Sequence, residues 1–283
     1  MLADAIAAET FKLTKNWRTS FFAFLFLPVI GLFIALLWEL VLEGVFTPDE
    51  QGAALLRLVP FDLAQAIISA LQPPTFPLSI LFCLIGAAVI FAGEYRWETW
   101  RLMAPRNSRA NALLGKVAVY AIAAAASLLL GAVLTIISGL IGALADGQRI
   151  VGGFQEGVVG QMFGAFGVSW IHLLQAGALA ALAGVLTRSI LAALMVPLGL
   201  GIAQFILQGL TSVPPDQMEL WRPFLMPSLA ADILRASLQP APIPQMAMPE
   251  GLVWASVGSF AVWILGGFGG ALALFLRQDL SKE

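Results

Sequence analysis

Residues 93–116 read GEYRWETWRLMAPRNSRANALLGK. Five of the chain's fifteen lysines and arginines, Arg96, Arg101, Arg106, Arg109 and Lys116, fall within this stretch. Apolar runs flank it on both sides, each of the length that a hydrocarbon core of roughly 30 Å demands of a helix. A basic, Trp-bearing break between two such runs is a loop at a membrane face, and the rest of the chain reads outward from it.

The 283 residues are 59% hydrophobic and 11% charged, against about 25% charged in a soluble domain. This is the composition of an all-α polytopic membrane protein. The alternating ten-residue segments of an outer-membrane barrel are absent. With a net charge of −2 and no basic cluster away from membrane-flanking segments, nucleic acid is not a partner. The single cysteine, Cys83, excludes an internal disulfide framework and reads as a small buried apolar residue. The first 18 residues lack the apolar core and small-residue cleavage site of a signal peptide, so no cleavage is expected.

Residues 2–18 predict an amphipathic helix on the membrane surface. Leu2, Ile6, Leu13 and Trp17 share one stripe, with Lys12, Lys15 and Asn16 beside it. Six crossings follow, at about 20–42, 76–92, 112–144, 162–186, 189–210 and 252–276. The third is longer than a bilayer needs and must tilt or project. Between the first two crossings, Phe61, Ala64, Ile68 and Leu71 share a helical face and predict a short surface helix. Residues 211–251 are proline-rich and hold an amphipathic piece at 227–238, so this outer segment is expected to be broken. One transmembrane domain accounts for residues 1–283.

Six crossings put both ends on one side. Eleven of the fifteen basic residues then share that side with the 93–116 loop, and Arg57, Arg149, Arg222 and Arg235 lie on the other. The positive-inside rule places both termini and the loop in the cytoplasm, and the membrane expected is a bacterial-type inner membrane. Eleven of the seventeen acids fall outside, which agrees.

A phosphate-cradling Gly-x-x-x-x-Gly-Lys-Ser/Thr loop, a metal-ligand cluster and a nucleophile elbow are all missing from the sequence. The chain therefore reads as no enzyme and as needing no cofactor of its own. After Glu94, residues 95–103 can form about two helical turns ending before Pro105. Trp97 and Trp100 beside Arg96, Glu98 and Arg101 make a knob able to fill a partner's cleft with aromatic anchors. The same residues also suit an interfacial belt that only fixes helix depth.

This loop, a Glu followed by Thr, then Leu, Pro, a small polar residue, Arg and Lys, resembles the segment between crossings two and three of ABC type-2 exporter permeases, the type V exporters. The stretch Glu9-Thr10-Phe11-Lys12-Leu13 is similar to that family's elbow helix, and the six crossings with a minimal 187–189 turn are similar too. The family commonly has Gly before the Thr, where this chain has Glu98. The resemblance implies an efflux permease whose dimer, homomeric or with a paralogue, works with two ABC ATPase subunits that bind ATP and Mg, sometimes with accessory proteins. Residues 95–104 would be the coupling helix, and Glu94, Tyr95, Arg96, Trp97, Glu98, Thr99, Trp100, Arg101, Arg106 and Arg109 the coupling residues. An ion-gradient transporter or a non-transporting scaffold or sensor are the alternatives.

Inside the crossings, Ser169, His172 and Gln175 share one helical face, and Gln204 and Gln208 form a second pair. Polar groups at such depth line a substrate route or dimer seam, or join helices by hydrogen bonds. Gly266, Gly267, Gly269 and Gly270 predict close helix contact on the last crossing. The substrate class is not written in the sequence.

Overall fold

The computed structural model describes residues 2–38, 59–72, 80–97, 108–238 and 248–278. In chain order these form α1 (Leu2–Lys15), α2 (Trp17–Leu37), β1 (Phe61–Asp62), α3 (Leu63–Ala70), α4 (Leu81–Trp97) and α5 (Arg109–Ala145). Then come β2 (Ile150–Val151), α6 (Val158–Thr187), α7 (Ile190–Leu210), α8 (Arg222–Leu225), α9 (Pro227–Leu238) and α10 (Leu252–Arg277). Five of them, α2, α5, α6, α7 and α10, are long and apolar enough to cross a membrane. The fold is an all-α, multi-pass membrane architecture. The start of the expected crossing 76–92 and the end of 20–42 lie outside the described residues, and α4 has 17 described residues.

α6 is the central pillar. Of its most apolar window 67% is buried, against 11% for α2 and 17% for α7. A helix apolar on every side belongs in a core, and here small residues allow neighbours to approach from all directions. Ala176, Ala178, Ala180, Ala181 and Ala183 are all buried. The closest neighbour is α10: a Cβ added to Gly267 would meet Ala178 Cβ at 2.8 Å and its carbonyl oxygen at 2.9 Å. Gly270 is tight against Leu182 at 3.2 Å, whereas Gly266 and Gly269 face open space. Only half of the predicted glycine stripe is therefore a contact.

The 37-residue α5 is about 55 Å long at 1.5 Å per residue. Its far end is clothed rather than bare. The α3 helix packs there with Ala64, Ile68 and Leu71 buried, as the sequence pattern predicts. Phe61 is not in that helix. Asp62 is its extended N-cap, accepting from Gln65 N at 3.1 Å, so Phe61 pairs with Ile150 in a two-residue parallel bridge.

Proline inside α2 is accommodated by a neighbour. Pro28 has no N–H for the carbonyl of Phe24 four residues earlier, and residues Phe21–Leu25 widen into a π turn. Ser127 Oγ of α5 donates to Phe24 O at 2.5 Å and satisfies it. Between α7 and α10 the described residues form a broken segment, with a 3-10 turn at Pro215–Gln217, α8 and the amphipathic α9.

The α6–α10 contact yields a stability prediction. Gly267→Val overpacks it and should cost about 1–3 kcal/mol, lowering the thermal midpoint of the detergent-solubilised protein. Gly269→Ala, in open space, should leave that midpoint within the scatter of surface substitutions.

Candidate functional site

The ends of α4 and α5 flank residues 98–107, which lie outside the described residues, as therefore do the expected contacts Glu98, Thr99, Trp100, Arg101 and Arg106. The flanks themselves are well defined. α4 does not stop at residue 92: no proline interrupts it, and it runs through Trp97. Glu94, Tyr95 and Arg96 thus belong to the last turns of α4 and not to a separate short helix.

Glu94 is buried, with 7% exposure, and it belongs to a ring of four charges. Lys12 Nζ lies 2.7 Å from Glu9 Oε1 and 2.7 Å from Glu94 Oε1. Lys116 Nζ lies 3.3 Å from Glu9 Oε2 and 2.5 Å from Glu94 Oε2. Each carboxylate oxygen therefore faces one ammonium, and the ring is neutral as a unit. Lys116, at 1% exposure, donates to Ile90 O at 2.6 Å as well as to Glu9 Oε2, and its contact with Glu94 Oε2 is an ion pair. A lone charge here would carry the full desolvation cost of burial.

The ring joins α1 to α4 and α5, and backbone packing lets it close. A Cβ on Gly115 would sit 2.9 Å from Ala5 Cβ and 3.1 Å from Ala5 C, so α1 lies directly on the start of α5. The buried face of α1 is Ala5 and Glu9. Leu2 on α1 and Trp17 at the start of α2, two members of the expected apolar stripe, are 42% and 63% exposed, while Leu13 packs against the core. The face of α1 turned to the bundle is joined to it by the Ala5–Gly115 packing and by charge. Burial alone would lower the Lys12 ammonium, but Glu94 and Glu9 outweigh it and raise its pKa above the usual value. A raised ammonium stabilises fully below its unfolded pKa of 10.5 and loses that contribution only as pH climbs past the folded value. The Lys12 pairings thus persist across the neutral range.

A second set of contacts clamps the same end of the bundle. Tyr95 Oη donates to Gln278 Oε1 at 2.8 Å, and Gln278 Nε2 to Val185 O at 2.6 Å. Arg109 Nη1 donates to Gln278 O at 2.6 Å and lies 3.4 Å from Leu276 O, a cation on the terminal carbonyls of α10. Arg96 is exposed. Sequence reasoning named Glu94, Tyr95 and Arg109 as partner-facing; the structure turns all three toward other helices.

The polar residues of the crossings lie at the opposite end, beneath α8 and α9. Ser169 Oγ donates to Leu71 O at 2.8 Å and accepts from Arg235 Nη2 at 3.1 Å. Gln204 Nε2 donates to Leu225 O at 3.0 Å, and Gln208 Nε2 to Asp232 Oδ2 at 3.3 Å. Ser228 Oγ donates to Gln208 Oε1 at 3.3 Å. His172 packs on Phe260, ring centroids 6.3 Å apart. With Gln175, Gln204 and Ser228 it lines a cavity of about 20 Å³, room for one water. The bonds of Ser169, Gln204 and Gln208 are interhelical, and they pin the broken segment between α7 and α10 to α6 and α7. Burial pulls the Arg235 guanidinium below its usual pKa while Asp232 pulls the other way.

Glu9, Lys12 and Lys116 are the site residues that the sequence reading did not connect. Their signal is a charge in a run that otherwise buries: Lys116 follows Leu113-Leu114-Gly115, and Glu94 follows an apolar crossing. Among the described residues no group of three or more His, Cys, Asp or Glu is placed to hold a metal. No family model matches the chain, and neither does any curated protein or solved structure.

Opening the ring from one side strands a buried charge. Lys116→Met should destabilise the protein by about 3–5 kcal/mol and expose residues 2–15 to limited proteolysis. Pairing it with Glu9→Gln and Glu94→Gln, which removes the stranded carboxylates, should recover most of the lost thermal stability.

Proposed function

We propose that the chain is the membrane-spanning permease subunit of an ABC exporter of the type-2 class. It works as a pair, a homodimer or a heterodimer with a paralogue, with two separate ATPase subunits docked at residues 95–104. On this reading the chain crosses an inner membrane six times with both termini in the cytoplasm. ATP and Mg are bound by the ATPases, and this chain contributes no catalytic group. Closure of the ATPases pushes residues 95–104, and the bundle rocks between inward and outward access.

One observation carries the reading beyond the charge bias and the loop's sequence pattern. The two helix ends that frame this loop, Glu94 on α4 and Lys116 on α5, are cross-linked to each other and to α1 through buried ion pairs. Tyr95 and Arg109 tie the same two ends to the end of α10. A push on the loop therefore meets a braced assembly, and such bracing is what force transfer from a soluble partner needs. An ion-gradient transporter would use carboxylates or broken helices at mid-membrane. Here Glu9 and Glu94 are consumed in a neutral ring near helix ends.

Co-expression with an ABC ATPase of the same genome is the direct test. The chain should retain the ATPase through purification, and Trp97→Ala with Trp100→Ala should weaken the pair more than tenfold, as loss of two aromatic anchors does. Purification without any ATPase, together with transport driven by an ion gradient alone, would overturn the reading. In reconstituted vesicles, His172→Ala should alter substrate-stimulated ATPase activity if its cavity lies on the substrate route.

A further inference from the structure

A cavity of about 370 Å³ lies between α2, α3, α4 and α5. Its size falls in the range of small-molecule sites, and it stays open because the helices around it present small residues. A Cβ on Gly31 of α2 would meet nothing within 4 Å, and one on Gly131 of α5 only Pro28 at 3.8 Å. Interiors normally fill such space to crystal density.

The hydrogen-bonding inventory of the walls is lopsided. Gln72, just after α3, turns Nε2 into a buried position where it has no partner among the described residues. The hydroxyls of Ser127 and Ser138 donate to Phe24 O and Thr135 O, so toward the cavity they remain as acceptors. A buried donor without a partner costs about as much as a lost hydrogen bond. No described lining residue carries a charge, and the remaining walls are hydrocarbon from residues such as Leu27, Leu128 and Leu173.

We infer that this cavity binds an uncharged lipid-like amphiphile, its acyl chain among the leucines and an ester or hydroxyl oxygen accepting from Gln72 Nε2. A hydroxyl on the same head group has Ser127 Oγ or Ser138 Oγ to donate to. A charged head group is disfavoured, since nothing on the described walls would compensate its desolvation. The site lies within one chain and stands whether or not an ATPase drives the protein.

The test uses the full chain in nanodiscs with a monoacylglycerol carrying a photoreactive diazirine in a ten-carbon chain, the crosslinks being mapped by peptide mass spectrometry. Crosslinks should fall on the α2 and α5 segments that line the cavity and be displaced by excess 1-decanoylglycerol. Gln72→Leu, similar in size but without the amide, should reduce them about tenfold, the weight of one buried hydrogen bond. Gly31→Phe should abolish them by filling the space. Labelling of the exposed α7 face supplies an internal reference that neither substitution changes. Crosslinks confined to such outer faces, or unchanged in Gln72→Leu, would overturn the inference; the first result would leave water as the partner of Gln72.

Discussion

Four charges that cannot afford to be alone organise one end of this molecule. Glu9, Lys12, Glu94 and Lys116 come from three separate segments, and three of them are under a tenth exposed. Because each carboxylate oxygen needs an ammonium and each ammonium two carboxylates, the ring exists only when α1, α4 and α5 meet in one register. Removal of a buried member leaves the ring with a net charge and each neighbour short of one of its two partners, which costs more than the net contribution of the intact ring. Gly115 is the steric half of the same arrangement, since a side chain there would lift α1 off α5 and pull Glu9 away from Lys116.

The same rule, that polar groups in an apolar setting must find partners, recurs along the helices. Pro28 frees a carbonyl, and Ser127 from another helix takes it. The fully buried Tyr120 gives its hydroxyl to Leu173 O at 2.8 Å, and Trp170 Nε1 donates to Ala121 O at 2.9 Å. The short α8 and α9, too small to be stable alone, are held by Gln204, Gln208 and Ser169. In lipid, where water cannot compete, such bonds fix which helices are neighbours more than they add stability. Gln72 Nε2 is one departure from the pattern, and it stands beside the cavity between α2, α3, α4 and α5.

Much of the architecture was legible because the bilayer simplifies the reading. The long apolar runs, the surface face of Ala64, Ile68 and Leu71, and the amphipathic piece Pro227–Leu238 follow from period and proline alone. What was not legible depends on register between distant helices. The stripe of Leu2, Ile6, Leu13 and Trp17 has Leu2 and Trp17 exposed and Leu13 packed against the core. What the stripe does not announce is that Glu9, on the same helix, turns inward to two ammoniums. Likewise nothing in residues 94–96 says that α4 will continue to Trp97. Glu94 is drawn inward by Lys12 and Lys116, which lie 82 residues and 22 residues away along the chain. Period reports what a helix wants to bury; only the assembled fold reports which charges have been matched.

That distinction bears on why the ring exists at all. An apolar core of equal volume would hold α1 as well or better, since buried ion pairs seldom gain on hydrophobic replacements. Apolar contacts, however, are tolerant of sliding, and α1 lies along α5 with Ala5 against Gly115, a smooth surface on which a helix can shift. Ion pairs of 2.5 to 3.3 Å are not tolerant: a displacement of one turn would leave four charges unmatched. The ring therefore selects one register at a cost in stability that packing elsewhere, notably α6 against α10, can cover. It applies that selectivity where α4 and α5 flank residues 98–107. On the proposed reading, in which displacement passes from this segment to the helices, the bundle depends on such definition at this end.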